Sequence, residues 1–137
     1  MFLVPAAVLQ IGPSMQHLKI FLVEQSGETE ILTPQGDPSS FRYRDLQAET
    51  NSLRTHMSKP ENLNLVVDLC NCQYFGSEFI GALVSMLRDV RARKGRCALC
   101  GATDQMRKVL QNMSLFRLWP YFENRDLALD AISQPAA

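Results

Sequence analysis

Residues 64–95, NLVVDLCNCQYFGSEFIGALVSMLRDVRARKG, constrain the fold of this chain more than any other stretch. Leu65, Val66, Val67 and Leu69 put apolar side chains on both faces of an extended segment, as a strand covered on both sides requires. A polar turn follows. Phe79, Ile80, Leu83, Val84, Leu87 and Val90 then recur at three- and four-residue steps, with Arg88, Asp89, Arg91 and Arg93 on the other side. That period is an amphipathic helix, and Gly95 suits its end. A buried strand that feeds such a helix is half of a crossover unit, so the chain reads as α/β. Ser77 stands in the expected first turn, at the positive end of the helix dipole.

The remaining elements follow from the same signals. Leu18 to about Gln25 reads as a first strand that ends at Ser26-Gly27, and TEILTP as its hairpin partner, stopped by Pro34 and Gly36. Asp37-Pro38-Ser39-Ser40 suits a helix start. From Phe41 to Ser58, the residues Leu46, Thr50, Leu53 and Met57 share one helical face. RCALCGA is a fourth strand, and Thr103 or Asp104 caps a helix carrying Met106, Val109, Leu110 and Met113. Pro120 excludes a continuing helix before a short edge strand at Tyr121 and Phe122. There Trp119, Tyr121 and Phe122 are expected to close the core. Asp126 opens the last helix, DLALDAI. The order β-β-α-β-α-β-α-β-α implies mainly parallel pairing after the hairpin.

Bulk properties narrow the function. A chain of 137 residues is one domain, with 14 basic and 14 acidic residues in balance. Neutrality gives no general attraction to nucleic acid or an anionic membrane. No run approaches the ~18 apolar residues of a membrane span. Residues 1–14 are apolar but lack a positive flank and contain Pro5, Gly12 and Pro13. They read as a flexible or strand-like lead-in rather than a signal peptide, with Met15 as an alternative start. The domain then spans residues 15–132, and residues 133–137 are a frayed tail. Cytoplasmic localisation is the expectation, which argues against disulfides among Cys70, Cys72, Cys97 and Cys100.

No constellation of catalytic side chains stands out, so an enzyme is not expected, nor any cofactor or metal. Cys97 and Cys100 form a bare C-x-x-C, but in a strand residues three apart point to opposite faces. Buried thiols acting as small hydrophobes are preferred over a redox or metal-binding protein. His17 and His56 have no acidic or cysteine neighbour arranged as a ligand set or dyad, so solvent-facing histidines are expected. Asp68, at a strand end, is preferred as an acceptor for the amides of the following loop over a catalytic acid. Arg88, Arg91, Arg93, Lys94 and Arg96 suit the negative end of a soluble helix.

Ser77 admits two compatible readings. As an N-cap its hydroxyl accepts from an amide one turn in, a contribution of about 1 kcal/mol. On an exposed strand-to-helix loop it also offers a hydroxyl to a partner. A phosphate there would sit in the favourable helix field, opposed by Glu78.

DLCNCQYFGSEFIGALVSMLRDVRARKG resembles the central motif of the STAS domain, the anti-sigma factor antagonist family. Asp68-Leu69 match the end of the family's strand, Tyr74-Phe75 its apolar pair, Ile80 its leucine and Gly81 its later glycine. Ser77 falls on the family's phosphorylatable serine. The similarity continues through RKGRCALCGATDQMRKVLQNMSLFRLWPYFENRDLALDAI and is weaker over residues 18–59. The family's Asp before the serine is Gly76 here, its second Ser/Thr is Glu78, and its next Gly is Phe79.

The resemblance implies a small mixed, mainly parallel β-sheet with helices packed mostly on one face. It implies a non-enzymatic interaction domain that binds an anti-sigma factor, itself a serine kinase, through Gly76, Ser77, Glu78 and Phe79. Phosphorylation of Ser77 would release that partner. The departures favour an alternative, a phosphorylation-independent scaffold in a larger signalling or transport assembly.

Overall fold

A computed structural model describes residue 18 and residues 20–35, 43–59, 63–72, 77–117 and 119–133, with Tyr43, Ser77 and Phe116 described by their backbone alone. The lead-in 1–14, His17, the expected helix start at Asp37–Ser40, the loop 73–76 and residues 134–137 lie outside this range.

Strand β1 (Phe21–Ser26) runs antiparallel to β2 (Thr29–Pro34), with Ser26 opposite Thr29. The two-residue turn between them holds Gly27 at φ 60°, the left-handed region where a Cβ is costly. β1 starts at Phe21, later than the expected Leu18. The amides of Ile20 (2.9 and 3.1 Å) and Phe21 (3.3 Å) donate instead to the buried carboxylate of Glu49.

Helix α1 (Tyr43–Met57) leads to β3 (Asn64–Asp68), α2 (Ser77–Ala92), β4 (Cys97–Cys100) and α3 (Asp104–Asn112). A 3-10 turn at Leu115–Arg117 precedes β5 (Tyr121–Phe122) and α4 (Arg125–Ser133). The sheet order is β1-β2-β3-β4-β5, parallel from β2 onward. The Thr103 hydroxyl caps α3 by accepting from Met106 N at 3.2 Å. For α4 the cap lies two residues before the expected Asp126: Asn124 Oδ1 accepts from Leu127 N at 3.0 Å.

Alternation along β3 divides the interior in two. Leu65 and Val67 face a large core with Leu53 and Met57 of α1, Leu83 and Leu87 of α2, and Met106 and Leu110 of α3. Val66 faces the other way, onto Ile31, Ala98, Ala128 and Ile132. Three helices therefore cover one face and α4 alone the other. Burying a leucine of this kind stabilises by about 1.5–3 kcal/mol. Trp119 closes the large core and Tyr121 packs against it, while Phe122 packs on the smaller one.

The same alternation separates the C-x-x-C pair: Cys97 lies in the large core and Cys100 in the small one. Burial pushes both thiols up to about 12, and Asp68 adds to the rise at Cys100. The neutral thiols therefore favour the folded state fully below the ordinary value of 9.0. That contribution is lost as pH rises through the folded value of about 12. Urea unfolding across that window should lose stability less steeply in Cys97→Ala and Cys100→Ala than in the parent. Parallel slopes would place the thiols outside this linkage.

His56 departs from expectation. It is not solvent-facing and it has an acidic neighbour: Nε2 lies 2.7 Å from Glu30 Oε2. Glu30 is fully buried on the inner face of β2, and neither of its oxygens makes a hydrogen bond of good geometry among the described residues. The His56 contact is the compensation the structure offers that carboxylate. The partners are 26 positions apart, from 30 to 56, so no local spacing announces them.

Candidate functional site

The site is built at the carboxyl end of β3, where the chain leaves the sheet for α2. Asp68 is buried there and both its oxygens are engaged. Oδ1 accepts from Cys70 N at 3.1 Å and Oδ2 from Arg125 Nε at 3.0 Å. The first bond ties down the start of the loop. The second leads to a residue that sequence reasoning passed over.

Arg125, the first residue of α4, also donates from Nη1 to Glu24 Oε1 (3.1 Å) and from Nη2 to Thr33 Oγ1 (3.0 Å). One guanidinium thus joins β1, β2, β3 and α4. Burial pulls its pKa down, but Asp68 and Glu24 outweigh that and the net shift is upward. The pairs have sequence separations of 101, 92 and 57, so only the folded sheet assembles them. The one local sign is a glutamate at position 24, directly after the apolar run Phe21-Leu22-Val23.

The backbone closes tightly around this anchor. Gly101 has φ 75°, and a Cβ on it would lie 2.8 Å from Asp68 Oδ1 and 3.3 Å from Cys70 N. Leu69 N donates to Cys100 O at 2.8 Å, and Cys72 N to Leu69 O at 3.1 Å. Cys72 is buried in the large core, whereas Cys70 is exposed. The loop therefore leaves the sheet from a fixed origin.

Ser77 opens α2; its side chain, and with it the expected cap, lies outside the described residues, as does Gly76. Glu78 is exposed. Phe79, expected on the partner-facing surface, is buried at 3% exposure, and its ring stacks on Phe21 at 5.7 Å between centroids and 13° between planes. This corrects its assignment as a contact residue. The helical stripe that includes Ile80 and Leu83 takes Phe79 inward, where it seats the first turn of α2 against β1.

Beside Glu78, α1 and α2 leave a groove of about 350 Å³. Leu46, Thr50 and Arg54 line it from α1, and Glu78, Gly81 and Ser85 from α2. Gly81 is a helix-interior glycine, and a Cβ on it would meet nothing within 4 Å. Its absent side chain leaves the groove floor open without serving any packing need among the described residues. Arg54 clamps the two helices through Asp89, with Nε–Oδ2 at 2.6 Å and Nη2–Oδ1 at 3.1 Å. The hydrogen bond and charge of Asp89 raise the Arg54 pKa. Such an exposed pair contributes less than about 1 kcal/mol.

Among the described residues no group of three or more His, Cys, Asp or Glu side chains could hold a metal, and no helix is long and apolar enough to cross a membrane.

The STAS domain family model matches residues 21–128. Solved structures share the fold. A putative anti-sigma factor antagonist, TM1081 of Thermotoga maritima, superposes with a TM-score of 0.73 at 16% identity, over 87% of this chain and 99% of its own. The anti-sigma factor antagonist SpoIIAA in its unphosphorylated form gives 0.70 at 17% identity, over 85% and 99%. The Bacillus cell fate determinant SpoIIAA in its phosphorylated form gives 0.65 at 18% identity, over 82% and 98%.

Proposed function

Because the chain belongs to the STAS domain family, we propose that it is a non-enzymatic regulatory interaction domain of the anti-sigma factor antagonist kind. In this reading the surface formed by Gly76, Ser77, Glu78 and the α1–α2 groove docks onto an anti-sigma factor that is also a serine kinase. It acts in the cytoplasm, in the control of transcription. Phe79 holds that surface in place from below. The observation that carries the reading is the position of Ser77: it opens α2, next to the exposed Glu78, on a chain segment anchored through Asp68.

The mechanism is electrostatic and steric. Phosphorylation adds nearly two negative charges and three acceptor oxygens at one point of the contact surface. Glu78 is adjacent, so the modified surface becomes strongly anionic while the domain behind it stays folded. A partner fitted to the neutral serine is then released.

Incubation with ATP and the cognate kinase, followed by intact mass and peptide fragmentation, tests this. One phosphate is expected on Ser77 and none on Ser77→Ala. An unmodified parent protein after complete incubation would turn the account to the second reading. That reading is a phosphorylation-independent scaffold in a signalling or transport assembly, and Gly76 and Glu78 at the serine favour it.

A further inference from the structure

Residues 88–96, RDVRARKGR, hold five of the chain's 14 basic residues and only one of its 14 acidic ones, Asp89. They form the end of α2 and the turn into β4, at the far end of the helix from Ser77. At the helical rise per residue, Arg91 lies about 20 Å along the axis from Ser77. Asp89 is not available to balance its neighbours. Its two oxygens accept from Arg54 Nε at 2.6 Å and Arg54 Nη2 at 3.1 Å. That clamp sets the end of α1 beside the end of α2, so Lys59, just past α1, belongs to the same end of the molecule.

Cations at a helix end are ordinary when they satisfy its last carbonyls. Here backbone amides already do so. Asp89 O and Val90 O accept from Arg93 N (3.3 and 3.1 Å), Val90 O also from Gly95 N (2.9 Å), and Arg91 O from Lys94 N (2.9 Å). Arg91, Arg93 and Arg96 interact elsewhere in the fold. Arg88, Lys94 and Lys59 are different. All three are exposed, and their side chains make no hydrogen bond or ion pair among the described residues. They are the cations left at this end to meet a partner.

The composition of the run narrows what that partner is. No aromatic residue occurs in 88–96, so the run offers no plane on which bases stack. Its one large apolar residue, Val90, is buried, so the run has no wedge for an acyl layer. Recognition here is by charge alone.

We propose that this end of the domain docks an acidic segment of a partner protein, whose carboxylates pair with Arg88, Lys94 and Lys59. These cations sit on three separate stretches: α2, the turn after it, and the turn after α1. A run of carboxylates on a flexible chain can reach all three, and the Arg88 fork suits a carboxylate in two-point contact. The proposal is independent of the Ser77 reading: none of the three cations belongs to that surface, and a contact at one end of α2 leaves the other open.

Titration of the isotope-labelled protein with octaglutamate, followed by its amide resonances, tests this. A saturable shift is expected at Arg88, Lys94 and Lys59, with affinity falling at least about fivefold from about 50 to about 200 mM salt. Arg88→Gln/Lys94→Gln should weaken binding about tenfold with the unfolding midpoint unchanged. Arg44→Gln/Lys108→Gln removes the same charge from exposed positions elsewhere and should change the affinity by less than about twofold. An oligothymidylate with eight phosphates finds no stacking surface, and phosphatidylserine–phosphatidylcholine vesicles meet no apolar wedge. Each should bind at least about tenfold more weakly than octaglutamate. Equal affinity for either would overturn the proposal, making the patch a nucleic-acid or a membrane surface instead. So would shifts confined to other residues, equal losses in the two double variants, an unchanged affinity in Arg88→Gln/Lys94→Gln, or no saturable shift with octaglutamate.

Discussion

Arg125→Ala should destabilise the domain by about 3–5 kcal/mol, the largest loss expected from any single charged residue here. The substitution removes little apolar packing. Its cost comes from what remains: Glu24 and Asp68 are 6% and 4% exposed, and each would keep a buried charge without its cation. Thr33 would also lose its guanidinium donor. Urea unfolding reads the effect directly. Two further variants separate the charge argument from simple truncation. Arg125→Lys keeps a charge but not the fork that reaches three acceptors, so it should recover only part of the loss. Glu24→Gln in the Arg125→Ala background should restore some stability by neutralising one orphaned carboxylate. A loss below about 1 kcal/mol in Arg125→Ala would mean that water replaces the guanidinium without penalty.

Gly95→Ala should be the most damaging substitution by a single methyl group. A Cβ there would fall 1.9 Å from Leu63 O and 2.7 Å from Val90 Cγ1. The first contact sets the added Cβ against a backbone carbonyl, and no rotamer relieves it. The chain turns here from α2 into β4, with Lys94 already at φ 65° and Gly95 N bonded to Val90 O. Relief requires moving β4 away from the segment before β3, at a cost of about 3 kcal/mol. Gly81→Ala is the internal control. It lies within α2 with open space around it and should stabilise the domain by about 0.5–1 kcal/mol. Similar unfolding midpoints for the two variants would contradict the packing described here.

These two residues also show where sequence reading succeeds and fails. Gly95 was legible as lying at the end of a helix because the change of period there is local, whereas the approach of Leu63 O, which demands a glycine, is not. The strand-turn-helix unit was legible because apolar periodicity over 64–95 is likewise a property of neighbours. Arg125 was not legible, because its acceptors at 24, 33 and 68 meet it only across three strands. The pairing of His56 with Glu30 escaped for the same reason. The start of β1 moved because Glu49, on a helix not yet adjacent in sequence, takes the amides of Ile20 and Phe21.

Phe79 carries a different lesson. Its spacing placed it on the inward stripe of α2, while its motif position placed it among the contact residues. Its burial against Phe21 follows the spacing. A motif names which positions of a loop matter. The helical period decides which of them reach solvent.

In the proposed function, the Ser77 end of α2 is a docking surface governed by charge. The most direct measurement is the affinity of the intact protein for the anti-sigma factor kinase proposed as its partner, compared among the parent, Ser77→Ala and Ser77→Asp. Ser77→Ala should bind within a few-fold of the parent, because it preserves a small neutral surface. Ser77→Asp should bind at least about tenfold more weakly, a loss near 1.4 kcal/mol, as a fixed negative charge beside Glu78 opposes the contact. Equal affinities for all three proteins would contradict the account.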